Sequence, residues 1–268
     1  MNALLRADLR SRWRSIAALT AGCFTVLIVL SGTYSAYGGA AAFEKSFGSG
    51  GSTPKLFSAF SGSSGTDIFT PQHFLAFGFG HPLFLVLALS VAITSGVSAI
   101  ATDVETGRAE LIFTPPVHRA AILNARVAGW AVAQAAVIIG GLLGALIGTH
   151  LSSDLSQVSA AVPLRVAVQF SSLAVFVAAV AFAASARART RGAAFAVTVG
   201  VVAGSYVANL VALLWHPLAF AQRLNPFGYY SATQAAQHIN WPDVAVLVSA
   251  AIVLMGLAHH WLRNRDLA

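Results

Sequence analysis

Gly192-Ala-Ala-Phe-Ala-Val-Thr-Val-Gly-Val-Val-Ala-Gly-Ser-Tyr-Val-Ala-Asn-Leu-Val-Ala-Leu-Leu214 carries no charged side chain, and Arg187, Arg189 and Arg191 stand immediately before it. A helix needs about 20 mostly apolar residues to cross the hydrocarbon core of a bilayer, and this stretch supplies them. Inside lipid every backbone N–H and C=O must find a partner within its own segment, so the run reads as a helix and not a strand. Five further stretches repeat the pattern: Ile16–Tyr37, Phe74–Ile100, Ile122–Gly148, Leu164–Ala184 and Val244–Leu262. The expected fold class is an all-α membrane protein, with six transmembrane helices forming one domain over 1–268.

Composition and charge placement agree with this frame. Hydrophobic residues make up 57% of the chain and charged residues 9%, against roughly 25% charged in a soluble domain. The net charge of +7 would point to nucleic acid in a soluble chain. Here Arg6, Arg10, Arg12, Arg14, Arg108, Arg119, Arg126, Arg187, Arg189, Arg191, Arg263 and Arg265 fall on one side of the six-span map. Only Lys45, Lys55, Arg165 and Arg223 fall on the other. Excess Lys/Arg marks the cytoplasmic side, which puts both termini inside and removes the case for nucleic-acid binding. The lone Cys23 lies in the first apolar run and reads as a small packing residue, with no disulfide or cysteine metal site available. Ala40–Ala42 offers an Ala-x-Ala pattern, but the preceding apolar run exceeds the roughly 7–15 residues of a signal core, so an uncleaved helix is expected.

The joints between spans divide by character. Residues 1–15 mix Leu4, Leu5, Leu9 and Trp13 with four arginines, the pattern of a short interfacial helix along anionic headgroups. Residues 38–72 are a Gly/Ser-rich exterior loop with short helices expected near Phe43–Phe47 and Leu56–Phe60. Residues 215–243 form a second exterior segment. Gly140, Gly144 and Gly148 recur every four residues, and Gly200 and Gly204 share that spacing in the fifth span. Such small-residue stripes let a neighbouring backbone approach and are candidates for a subunit seam or for packing within the chain. Polar residues inside the spans are few: His81, Gln134, Gln169, Tyr206 and Asn209 are candidates for a substrate path, or for helix-to-helix hydrogen bonding. No carboxylate lies well inside a span, which weakens a proton- or sodium-coupled carrier.

Charge is densest on the inner side between the second and third spans, in the connection 101–120. Asp103, Glu105, Arg108, Glu110 and Arg119 crowd into it, with Gly107 as a bend, Leu111 in an apolar centre and Pro115-Pro116 as a stop. An apolar centre within a charged loop suits an element that docks into a groove on another protein.

The run Asp103-x-Glu105-x-Gly107-Arg108-x-Glu110-Leu111, followed by Pro116-Val-His-Arg119, resembles the cytoplasmic loop of type-2 ABC transporter permeases. Thr70-Pro71-Gln72-His73-Phe74-Leu75, Asn225-Pro226-Phe227-Gly228-Tyr229-Tyr230 and Trp261-Leu-Arg-Asn-Arg265-Asp266-Leu267 are similar to further segments of that family, in the same order. Arg108 stands where the family usually has Thr, His118 where it has Ser, and Gln72-His73 where one branch has Glu-Gly. The resemblance implies the membrane subunit of an ATP-driven transporter, usually an exporter, and fourteen arginines against two lysines point to a GC-rich bacterial genome and so to a bacterial cytoplasmic membrane. It also implies a coupling helix between spans two and three and a partly re-entrant exterior segment between spans five and six. The implied partners are two copies of an ABC ATPase, a second copy of this chain or a paralogous permease, and membrane lipid. Lys45 and Lys55 are the only lysines and neither follows a glycine, so no P-loop exists here. No cofactor is expected in this chain, and ATP and Mg2+ belong to the partner. A channel or scaffold is the alternative from another class. A rhomboid-like serine protease built on Gly62-Ser63-Ser64-Gly65 and His259 is the third, but it would need its serine and histidine on the same side of the membrane.

Overall fold

The structure, a computed structural model, describes residues 2–39, 42, 45, 70–108 and 118–265. Among the described residues there is no strand. The chain order is α1 (Asn2–Ala36), α2 (Pro71–Gly80), α3 (Pro82–Val97), α4 (Ala101–Glu105), α5 (Arg119–Leu151), α6 (Ala161–Arg187) and α7 (Arg191–Leu214). Two 3-10 helices follow, His216–Leu224 and Pro226–Tyr229, then α8 (Ala232–Gln237) and α9 (Trp241–Arg263). Among the described residues five helices are each long and apolar enough to cross a membrane, and the bent pair α2–α3 makes a sixth crossing if taken as one span. The expected helix near Leu56–Phe60, and that near Phe43–Phe47 apart from Lys45, lie outside the described residues.

The central element is α6. Its face of Val166, Phe170, Leu173, Val177 and Ala181 is buried, and α3, α5, α7 and α9 all pack against it. Small side chains permit this crowding. A Cβ at Gly96 of α3 would lie 2.5 Å from the Ala181 Cβ, so only a glycine lets the two helices sit at this distance. An aromatic chain crosses the bundle, with ring centroids 5.1 Å apart for Phe79–Phe84, 5.3 Å for Phe84–Phe170 and 5.8 Å for Phe170–Tyr230. Its edge-to-face geometry suits the ring quadrupoles and ties α2, α3, α6 and the segment after the 3-10 helices into one core.

Three expectations change. The second span is not an unbroken helix: α2 and α3 meet at 44° around His81. Pro82 has no N–H and forces the residue before it out of the helical region, and His81 is extended at φ −62°, ψ 134°. The His81 ring then caps α3 by accepting from the Leu83 N–H at 3.3 Å.

Nor is the interfacial helix at 1–15 a separate element, because α1 runs without interruption from Asn2 to Ala36. No proline and no glycine before Gly22 interrupts it. At 1.5 Å per residue such a helix is about 50 Å long, so it outruns the roughly 30 Å hydrocarbon core.

The third change concerns the glycines of α5, which are occupied within the chain. A Cβ at Gly144 would lie 2.4 Å from the Phe24 carbonyl oxygen, one at Gly140 2.9 Å from that of Thr20, and one at Gly148 2.5 Å from Ser31 Oγ. The stripe is therefore the bed of α1, which is the packing within the chain that its spacing also allowed. Gly200 and Gly204 on α7 have open space instead.

Candidate coupling site at the arginine-rich end

Helices α1, α3, α4, α5, α6, α7 and α9 meet where α3 ends, and short polar contacts join them there. After α3 the chain turns through Ser98–Ile100 into α4, whose C-cap Thr106 is followed by Gly107 with φ +70°, a backbone state that disfavours any side chain. Ser185 of α6 fastens this turn. Its Oγ accepts from the N–H groups of Ile100 and Ala101, both at 3.0 Å, and donates to the Val97 carbonyl at 2.8 Å. Ser185 is fully buried, and its hydroxyl satisfies backbone groups that the kink between α3 and α4 leaves without helical partners.

Two carboxylates on α4 reach different helices. Asp103 is 4% exposed, accepts a hydrogen bond from Arg126 Nη2 of α5 at 3.2 Å and lies 3.8 Å from the Arg108 guanidinium. Glu105 is exposed, and its Oε2 accepts the Arg191 backbone N–H at 2.8 Å, at the first residue of α7. A carboxylate at a helix N-terminus satisfies an orphan donor and meets the positive end of the helix dipole.

At the other end of the 101–120 connection, Arg119 opens α5. Its Nη1 donates to the carbonyls of Leu262 (3.2 Å), Arg263 (3.4 Å) and Arg265 (2.7 Å), at the end of α9. Arg265 donates from Nη1 to Ala186 O and from Nη2 to Ala188 O, both at 2.8 Å, at the end of α6. Burial and the nearby charge of Arg189 lower the Arg265 pKa from its ordinary value, though a guanidinium stays charged at neutral pH. The Arg187 guanidinium lies 5.5 Å from the Trp261 ring centre, and Arg12 of α1 donates to Ser98 Oγ at 2.8 Å.

Of the residues expected in the coupling loop, Asp103, Glu105, Gly107, Arg108 and Arg119 thus fall at this end of the bundle. Glu110, Leu111, Pro115 and Pro116 lie outside the described residues. Asp103 and Arg119 are engaged inside the chain. Sequence reasoning missed Ser185, Arg126 and Arg265. Arg126 carried a signal, since a cation four residues into the apolar run from Ile122 needs a carboxylate, and Asp103 is in the adjoining connection. Ser185 carried none, because a serine that satisfies a kink on another helix looks like any small residue.

The residues considered for a substrate path do not share one surface. Gln134 donates from Nε2 to Ala88 O at 3.2 Å and joins α5 to α3, while Gln169 donates to Tyr229 O at 3.0 Å and joins α6 to the 3-10 segment. His81 is the α3 cap. Asn209 is buried, and its Oδ1 has no partner among the described residues. Tyr206 lines a groove of about 340 Å3 between α3 and α7, whose walls include Leu85, Leu89, Phe195, Val199 and Phe227. The Tyr206 hydroxyl is buried without a partner among the described residues. His259, the base of the protease alternative, contacts Met255 O at 2.8 Å and Asn124 Oδ1 at 3.0 Å at the arginine-rich end, while Ser64 lies outside the described residues.

The sequence model of a family described as ABC-2 family transporter protein matches residues 2–267. No curated protein matches the chain.

Proposed function

The chain belongs to the ABC-2 transporter family as a multi-pass membrane component of an ABC transporter, and from that premise we propose that it exports a hydrophobic or amphipathic substrate by alternating access. A partner ATPase drives the cycle by seating against the 101–120 connection, which faces the cytoplasm of a bacterial cell together with both termini. ATP and Mg2+ are held by that partner, and the working unit contains two permease chains and two ATPases.

The observation that carries this reading is the attachment of both ends of the connection to several helices. Asp103 ties its start to α5, Glu105 ties it to α7, and Arg119 ties its end to α9. A force applied between these points would reach three membrane helices through short charged contacts, as a coupling element requires. The largely apolar walls of the α3–α7 groove, whose polar lining residues Ser90, Thr94 and Tyr206 are all uncharged, support an apolar or amphipathic cargo over a strongly charged one. The open small-residue face at Gly200 and Gly204 supports α7 as the contact to the second permease chain.

The test is purification of the tagged permease with its ATPase, reconstitution into vesicles, and measurement of ATP-dependent movement of an amphipathic fluorescent dye and of a labelled phospholipid. Glu110→Lys is expected to weaken ATPase recovery, because an unpaired charge in a partly buried contact costs about 2–5 kcal/mol. Lys55→Glu in the exterior loop is expected to leave it unchanged. A preparation that recruits no ABC ATPase, or that moves both probes without ATP, would reject the assignment.

A further inference from the structure

The position of Arg119 in the loop suggests a contact with the ATPase, but its guanidinium is turned into the bundle. It reaches three carbonyls around the end of α9, where helix geometry leaves C=O groups without internal donors and the dipole is negative. The contact does not stop there. The carbonyl that Arg119 holds at 2.7 Å belongs to Arg265, whose own guanidinium grips Ala186 O and Ala188 O. The first residue of α5 is thereby linked to the end of α9, and the end of α9 to the end of α6. A guanidinium is planar, permanently charged and donates several hydrogen bonds at fixed angles, so a chain of two transmits displacement with little slack.

We propose that Arg119 and Arg265 are positioning residues that make α5, α9 and α6 move as one body when the coupling loop is displaced, and that Arg119 does not touch the ATPase. This rests on the ATPase-coupled reading above. Two consequences separate it from a docking role. Removing Arg119 leaves the ATPase bound, and it frees α9 from α5 during the nucleotide cycle.

The experiment uses the full permease–ATPase complex in nanodiscs, in a Cys23→Ala background, with spin labels at Ala128 of α5 and Leu257 of α9, both exposed. In the parent protein the distance between the labels is expected to be narrow and unchanged between nucleotide-free and ATP/vanadate-trapped states. In Arg119→Ala the trapped state is expected to broaden or shift. The Arg265 guanidinium joins α9 to α6, so in Arg265→Ala the same is expected of a second pair of labels, at Leu257 and at Val168 of α6, also exposed. ATPase recovery and ATP turnover should stay within twofold of the parent, and ATP-dependent dye movement should fall at least fivefold. Arg119→Lys and Arg265→Lys, which keep the charge without the fork, are read in place of any alanine variant that fails to elute as a single species, and should show the same change in smaller degree. Loss of ATPase recovery on replacing Arg119 overturns the proposal in favour of direct docking. A parent distance that shifts on trapping, or variant distances that stay at the parent value in both states, also overturns it. A parent protein that recruits no ATPase fails the underlying reading instead, and that failure is seen before any variant is made.

Discussion

The buried ion pair between α4 and α5 should respond sharply to loss of either partner. The Asp103 side chain is 6% exposed and that of Arg126 25%, with 3.2 Å between Oδ2 and Nη2. At that separation and an effective dielectric near 20 the direct attraction is about 5 kcal/mol, most of it offset by the cost of taking both charges from water. Truncating one member removes the attraction and leaves the other desolvated, a loss of about 3–5 kcal/mol. Arg126 keeps some access to water, and Arg108 at 3.8 Å is 58% exposed and adds little. For Asp103→Ala the expected loss is therefore at the lower end, about 3 kcal/mol. Arg126→Met in the same background should recover about half of this loss, because an apolar side chain of similar length tolerates the site better than an unpaired cation. Unfolding of the four proteins of this cycle by steric trapping in bicelles gives the coupling energy directly. Single-variant losses that sum to the double-variant loss within about 0.5 kcal/mol would mean that the two residues do not interact, and the pair would then play no part in joining α4 to α5.

Three more outcomes follow from the packing. Gly144→Val should separate α1 from α5 and cost about 1–3 kcal/mol through overpacking, whereas Gly200→Ala should be neutral or stabilise the isolated chain by up to about 1 kcal/mol; denaturation midpoints of the two variants give the comparison. Ser185→Ala should destabilise the fold by about 1–3 kcal/mol, since the buried N–H groups of Ile100 and Ala101 lose their acceptor; a loss no larger than that of Ser156→Ala on the exposed connection would contradict it. Cysteines at Ser156 and Arg189, in a Cys23-free background, should label from opposite sides of sealed vesicles with a membrane-impermeant maleimide, and labelling from one side would overturn the six-crossing map.

The class of the protein was legible from hydropathy alone. Residues such as Gly192–Leu214 leave few options for the backbone in lipid, because hydropathy is a property of a segment and needs no knowledge of neighbours. The Asp103–Arg119 connection also stood out by its charge density. What each side chain does there was a matter of tertiary structure. Whether Arg119 faces a partner or the end of α9 depends on where Leu262, Arg263 and Arg265 lie, more than a hundred residues away. The glycine stripe on α5 read as a subunit seam or as packing within the chain, and only the Phe24 and Thr20 carbonyls against it showed that α1 lies there, while the similar stripe on α7 has open space. Phe74–Ile100 reads as one span in the sequence, and its 44° bend at Pro82, capped by His81 and packed with Phe79 and Phe84, became visible only in the structure. Sequence determined what could enter the membrane, since that is settled by each segment's own transfer from water. Tertiary structure decided which polar groups pair with which, since a hydrogen bond is a relation between two positions and neither residue alone contains it.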